Sequence, residues 1–197
     1  MTIKSLTARF LSLMFAANSS LSSLAQDYDW PHYANDQGSS KYADLDQINK
    51  ETVKDLRVAW TWTSIDNAQV TLRPQFVPAG FKSTPIHKDG TLYISTSLGN
   101  IAAIDGMTGE QKWTFDTGTS EHGRPANMGF NHRGVSYWAN DEKQRILMGT
   151  NNAYLWSIVA ETGQPDRNFG DNGKIDLTVG LGREIDRSRY SITAAVT

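Results

Sequence analysis

The residues with the clearest chemical meaning lie in one short block, Asn131 to Trp138, which reads NHRGVSYW. The block follows a loop rich in Gly and Asn and begins an apolar run of residues that favour β-structure. We therefore expect Arg133 at a loop-to-strand junction, where its guanidinium can form two parallel hydrogen bonds with a carboxylate. The pattern indicates a site for a planar anion, although a lone arginine can equally form a surface salt bridge.

Other residue types that carry chemistry give weaker signals. The four histidines have no metal-ligand spacing on one element, so they are interpreted as structural or solvated. Glu121 and Asp141 lie near the same loop but lack the paired partner of an acid/base site. No glycine-rich phosphate loop occurs, and with no cysteine there is no thiolate nucleophile or ligand.

The composition is that of a globular protein of one ordinary domain. The chain has 197 residues, of which 39% are hydrophobic and six are tryptophans. A net charge of −2 gives no indication of a nucleic-acid groove.

Residues 1–25 have the pattern of a secretory signal. Lys4 and Arg9 form a basic start, residues 10–17 are a short apolar core, and residues 23–25 suit a signal peptidase. The pattern predicts that the protein is exported. The alternative is a weakly amphipathic N-terminus.

A lead-in segment, residues 26–82, is expected next, and it contains a short helix and a first strand. Asn49 can cap a helix that runs to about Asp55. Residues 56–62 (LRVAWTW) alternate in the manner of a strand.

A weak internal repeat begins near Ser83. A shift of 54 residues places Thr108-Gly109 on Thr162-Gly163 and Phe115 on Phe169. Each copy reads as short strands joined by turns, which is typical of the four-stranded blade of a β-propeller. We predict an all-β chain with blades at about 83–116 and 133–170. A further strand is expected to be cut short at the end of the sequence, so that residues 83–197 form an incomplete propeller. The alternative is a complete small β-sandwich with chance self-similarity.

The chain resembles the pyrroloquinoline-quinone (PQQ)-dependent dehydrogenases, the quinoprotein alcohol and sugar dehydrogenases. The likeness rests on an ordered series of segments: residues 30–49, 56–62, 83–113, 132–138 and 169–183. Residues 103–113 (AIDGMTGEQKW) also fit the family's tryptophan-docking motif, Ala-x-Asp-x-x-Thr-Gly-x-x-x-Trp. The second copy keeps Thr162-Gly163 and carries Arg167 at the expected tryptophan position.

The resemblance implies an eight-bladed propeller and three residues that contact PQQ. Arg133 matches the arginine that pairs with the cofactor's carboxylates. Lys82 stands where many members carry a glutamate near the cofactor, and a lysine facing solvent is the alternative. Ser191 matches a hydroxyl residue that hydrogen-bonds the cofactor, with Thr193 as a nearby competitor.

The resemblance also indicates a branch of the family. Methanol-type members carry adjacent cysteines over the quinone, and the corresponding positions here hold Asn127 and Met128. The chain is therefore more similar to the glucose, quinate and polyol branch.

By resemblance, the chain is the N-terminal part of a periplasmic enzyme that oxidises an alcohol, sugar or polyol and passes electrons to a membrane quinone or a cytochrome. The family's calcium ligands and aspartate base are expected beyond residue 197, so this part alone is expected to be inactive. Two alternatives remain: a non-catalytic propeller scaffold for periplasmic protein assembly, and a small carbohydrate-binding β domain.

Overall fold

The computed structural model describes residues 28–126 and 128–196, which form two four-stranded antiparallel sheets. In both sheets the spatial order of the strands follows the chain. The predicted signal at 1–25 lies outside the described residues, as do Asn127 and Thr197. The prediction of an all-β chain with successive four-stranded units is confirmed. None of the helices in the described residues has the length and apolar character that a membrane crossing requires.

The first sheet is built by short strands and tight turns. Its strands are β1 (Ile86–Lys88), β2 (Thr91–Ser95), β3 (Asn100–Asp105) and β4 (Gln111–Asp116). Asp89 and Gly90 join β1 to β2 with φ values of 48° and 72°, the positive values that a two-residue hairpin turn requires. The helix α1 (Asp66–Leu72) lies against this sheet. It is held there by the buried Asp66 carboxylate, which accepts hydrogen bonds from the Leu98 amide and the Asn100 side chain.

The second sheet has the same topology but a longer connection before its last strand. Its strands are β5 (Ser136–Ala139), β6 (Gln144–Gly149), β7 (Tyr154–Val159) and β8 (Lys174–Asp176). Asn100 of β3 pairs with Asp116, whereas Tyr154, which matches Asn100 in the repeat, pairs with Asp176. The second sheet therefore contains six more residues before its outer strand than a constant shift of 54 allows.

This longer connection corrects the repeat alignment drawn from sequence. Ile175 lies opposite Leu155, as Phe115 lies opposite Ile101, so the equivalent of Phe115 is Ile175 and not Phe169. The Ser157 amide of β7 donates to the Gly173 carbonyl. The residue that takes the place of Trp113 in the second sheet is therefore Gly173, and not Arg167 as the constant shift implied. The alignment was wrong here because it assumed a repeat without insertions.

The core lies between the two sheets. The residues buried there come from inward positions of both: Ile86, Tyr93, Ile101, Ala103, Val135, Ile146, Met148, Ile158 and Ala160. Each large aliphatic side chain removed from water contributes about 1.5–3 kcal/mol, so this seam holds the sheets together. Polar contacts add to it, since the Tyr93 hydroxyl and the Trp113 indole both donate to the Ala160 carbonyl, at 3.5 and 3.0 Å.

A tryptophan-on-glycine contact occurs at two equivalent places. A Cβ atom added at Gly163 would lie 2.6 Å from the Trp113 ring, and one added at Gly109 would lie 2.5 Å from the Trp60 ring. The Trp60 indole also donates to the Gly106 carbonyl at 3.1 Å, matching the Trp113–Ala160 bond. Trp60 therefore docks on the first sheet as Trp113 docks on the second.

The lead-in segment differs from the sequence expectation. Residues 56–62 belong to no strand, because residues 57–63 form no backbone hydrogen bond with the rest of the described chain. Trp60 and Trp62 nevertheless pack on the outer face of the first sheet against Ile94, Ala102 and Ile104. The expected helix at 49–55 is limited to a 3₁₀ turn at Val53–Asp55, preceded by capping of two amides by the Asn49 side chain.

Candidate functional site

Arg133 lies on the middle one of three adjacent backbone segments. The Thr84 amide donates to the Arg133 carbonyl at 2.9 Å, and the Arg133 amide donates to the Thr193 carbonyl at 2.9 Å. Thr84 precedes β1 and Arg133 precedes β5, so the segments that lead into successive sheets lie side by side. Residues 190–196 supply the third segment and belong to no strand, although a strand was expected over 192–197.

Among the described residues, none acts as a counter-ion to the Arg133 side chain. It is exposed, while its neighbours His132 and Gly134 are buried. Within residues 28–126 and 128–196, no carboxylate lies within salt-bridge distance of its guanidinium, and no acceptor is hydrogen-bonded to it. A surface salt bridge therefore does not account for Arg133 in the described structure, and its charge is free for an external anion.

Lys82 adds a second cation on the adjacent segment. It lies two residues before Thr84, is exposed, and has no ion-pair partner in the described part of the chain. The next residue is anchored, because the Ser83 hydroxyl is hydrogen-bonded to Ser95 Oγ at 2.9 Å. Two unpaired cations on adjacent anchored segments form a surface suited to a polyanionic ligand.

Ser191 lies on the third segment, but its hydroxyl is already engaged. It donates to the Asn151 carbonyl at 3.4 Å. The Thr193 carbonyl accepts the Arg133 amide, and the Thr193 hydroxyl forms no hydrogen bond to any residue that the structure describes. The structure thus places Lys82, Arg133 and Ser191 on three neighbouring segments, and in the described residues no hydrogen bond joins their side chains.

His132 is a residue of this region that sequence reasoning did not single out. It is 1% exposed, and its ring bridges both sheets through Ser95 Oγ at 3.1 Å and the Gly149 carbonyl at 2.6 Å. Burial lowers its pKa below the usual value, and the charge of Arg133 acts in the same direction. Its place directly before Arg133 was the available signal, but a histidine in a loop is more often solvated.

A buried acceptor between the segments lacks a donor. Asn151 is 2% exposed, and its side-chain nitrogen donates to the Asn131 carbonyl at 3.3 Å. Its side-chain oxygen has no hydrogen-bond partner in the described structure. This oxygen has almost no accessible surface, so it lies inside the junction of the segments, out of reach of an external ligand.

Comparison with known proteins decides the family. The model of the PQQ glucose/ethanol/alcohol dehydrogenase β-propeller domain matches residues 30–197. The chain belongs to this family. The resemblance drawn from sequence is confirmed, and the two sheets are part of a β-propeller.

Relatives include the quinate/shikimate dehydrogenase (quinone) of Acinetobacter baylyi, 29% identical over 86% of this chain and 22% of that protein. Quinoprotein glucose dehydrogenase A of Acinetobacter calcoaceticus is 30% identical over 76% of the chain and 20% of its own length. The chain thus spans about a fifth of the length of these curated relatives. The quinohemoprotein alcohol dehydrogenase of Comamonas testosteroni is 32% identical over 79% of the chain and 20% of its own length.

Solved structures agree on the fold. The quinohemoprotein alcohol dehydrogenase of Comamonas testosteroni superposes with a TM-score of 0.61 at 27% identity, over 85% of this chain and 21% of that one. A second quinohemoprotein alcohol dehydrogenase, from Pseudomonas putida, gives a TM-score of 0.64 at 24% identity and supports the fold alone.

Proposed function

We propose that this chain is the N-terminal part of a periplasmic PQQ-dependent dehydrogenase that oxidises an alcohol, sugar or polyol. The family membership supports PQQ as cofactor, and the names of the relatives include quinate, glucose and alcohol dehydrogenases. Transfer of electrons to a membrane quinone or a cytochrome is part of the proposal, as is export through residues 1–25.

The observation that carries the proposal is the unpaired, exposed guanidinium of Arg133 on an anchored backbone. PQQ is planar and carries three carboxylates, so it can satisfy a forked guanidinium and a neighbouring ammonium at once. The exposed, unpaired cations of Arg133 and Lys82 therefore fit the group.

The residues of this chain bind and orient; they do not carry the redox step. When bound, PQQ supplies the ortho-quinone that accepts a hydride equivalent from the substrate C–H bond. Arg133 would hold the carboxylates of the cofactor, and the neighbouring Lys82 would add a second positive charge. Within the described residues no cluster of three metal-ligating side chains occurs.

The test is PQQ binding by the intact apo-protein that contains this chain. We expect the Arg133→Ala variant to lose about ten- to a hundredfold in PQQ affinity, because charge-assisted hydrogen bonds contribute about 1.5–3 kcal/mol. Fluorescence quenching titration measures the dissociation constant, and excess PQQ should restore part of the dehydrogenase activity.

The matched control is Arg167→Ala, which removes an equally exposed arginine from the connection before β8. This variant should bind PQQ as the unaltered protein does. Equal affinity in Arg133→Ala and Arg167→Ala would contradict the proposal. No PQQ binding by the unaltered protein would favour the non-catalytic propeller scaffold instead.

A further inference from the structure

The inference concerns the buried side chain next to Arg133. His132 is almost fully buried at the seam of the two sheets, although histidine side chains are usually at least partly solvated. Its ring has polar partners on both sides: Ser95 at the end of β2 and Gly149 at the end of β6. A single side chain therefore joins the two blades directly behind the site.

The hydrogen-bond network determines the tautomer of His132. The Gly149 carbonyl can only accept, so Nε2 carries the proton and donates to it at 2.6 Å. Nδ1 is then an acceptor, and it receives the Ser95 hydroxyl at 3.1 Å and the Gly134 amide at 3.4 Å. Ser83 completes the chain by donating to Ser95 Oγ, at 2.9 Å.

This network fixes the backbone of Arg133 from every side. The ring of the preceding residue is held in both sheets, and the amide of the following residue, Gly134, points at the same ring. The Arg133 peptide groups are bonded to Thr84 and Thr193. A Cβ atom at Gly134 would lie 3.2 Å from the Thr84 carbonyl oxygen, so the segments are closely packed there.

The surroundings of the ring favour its neutral form. The elements packed on it contribute hydroxyl and peptide groups: Ser95 from β2, Gly149 from β6 and Ile192 from the third segment. Burial lowers the pKa of the ring, and the positive charge of the adjacent Arg133 also opposes a second proton on it.

We propose that His132, as the neutral Nε2–H tautomer, is a positioning residue that holds Arg133 in the orientation in which it binds the anionic cofactor. This inference rests on the proposed function, because it assigns His132 a role at the same site. His132 does not touch the ligand; it acts through the backbone that presents Arg133. A guanidinium on a loosened backbone keeps its charge but loses the alignment of its two parallel donors.

The experiment compares variants that remove different halves of the network in the intact apo-protein. His132→Leu removes both ring nitrogens, His132→Asn retains a polar group near Nδ1, and His132→Gln retains a donor near Nε2. We expect His132→Leu to weaken PQQ binding by about tenfold or more and to change the induced circular dichroism of bound PQQ. His132→Gln should recover most of the affinity and the spectrum.

The control for a general loss of stability is Ile104→Ala, a buried residue on the opposite face of the first sheet. It should lower the midpoint of thermal unfolding without changing PQQ affinity or the spectrum. If His132→Leu does not fold, His132→Asn and His132→Gln provide the same comparison.

The outcomes separate the two proposals. The positioning role is overturned if His132→Leu, or His132→Asn in its place, binds PQQ as tightly as Ile104→Ala does. It is also overturned if His132→Gln binds PQQ no more tightly than His132→Leu or its replacement. In both cases the proposed function stands. If Arg133→Ala leaves affinity unchanged, or the unaltered protein does not bind PQQ, both are overturned. Loss in His132→Leu with recovery in His132→Gln supports the inference.

Discussion

At the scale of single residues, the structure separates two hydroxyls that the sequence could not. Ser191 and Thr193 are both near Arg133, but the Ser191 hydroxyl donates to the Asn151 carbonyl while the Thr193 hydroxyl has no partner in the described structure. A hydroxyl without an internal partner is the better candidate to bond a ligand. The prediction of Ser191 as a cofactor contact therefore needs a direct test against Thr193.

We expect Thr193→Val to weaken PQQ binding by about three- to tenfold, because a hydrogen bond contributes about 0.5–1.5 kcal/mol and valine keeps the shape of threonine. Ser191→Ala should change PQQ affinity by less than that. Both dissociation constants come from the same fluorescence titration. A larger loss in Ser191→Ala than in Thr193→Val would restore Ser191 as the contact.

The sequence predicted the position of Arg133 ahead of a strand, but not the residues that surround it. An arginine at a loop-to-strand junction is recognisable from neighbouring residues alone. The burial of His132 depends on contacts with Ser95 and Gly149, which lie far from it along the chain. The surroundings of Asn151 likewise depend on Asn131, twenty residues earlier. Such contacts follow from how the sheets pack, and a local pattern does not contain that information.

At the scale of elements, the Trp113 ring of the first sheet packs closely on Gly163 of the second. Gly163 has a φ of +70°, and an added Cβ would lie 2.6 Å from the indole ring. Gly163→Ala should therefore cost both backbone strain and displacement of the ring, about 2–4 kcal/mol in total. The expected result is a lower midpoint of thermal unfolding.

Gly118→Ala is the matched control for this prediction. Gly118 has a φ of +69° and a ψ of +10°, in the left-handed region, and an added Cβ would lie 3.7 Å from the Glu121 carboxylate, an ordinary contact distance, so only the backbone strain of about 1–2 kcal/mol remains. In a Trp113→Ala background the two glycine variants should become similar, because the ring that causes the difference is gone. A persistent difference would show that the indole is not responsible.

The element scale also shows where sequence periodicity misleads. The turn at Asp89-Gly90 and the Thr-Gly turns were predictable, because glycine chemistry is local. The outer strand of the second sheet was misplaced by six residues, since pairing of Tyr154 with Asp176 is set by hydrogen bonds across the sheet. The strand expected at 56–62 is absent for the related reason that a strand needs a hydrogen-bonded neighbour.

At the scale of the whole molecule, the seam between the sheets should respond to alkaline pH. Burial raises the pKa of Tyr93 to about 12, and its hydroxyl donates to the Ala160 carbonyl of the other sheet. The unfolded chain ionises this tyrosine near pH 10, before the folded protein does. Its contribution to stability is therefore complete below about pH 10 and is lost as the pH rises to about 12.

We expect Tyr93→Phe to remove part of this dependence, which amounts to at most about 3 kcal/mol for two pKa units. Urea unfolding at about pH 8 and at about pH 11 measures it. The variant should lose less stability between the two values than the unaltered protein. Tyr42→Phe, at a site that is 65% exposed, is the control and should retain the full dependence.

The Trp60–Gly109 contact gives the assembly a direction. Because Trp60 comes before the first sheet in the chain and lies on its outer face, that face is covered by residues that are synthesised before the sheet itself. During translation, the first blade can thus close on a segment that has already left the ribosome, without waiting for a partner still to be made. The second sheet can then pack on a first sheet that has already folded, so the blades can assemble in order from the N-terminal side.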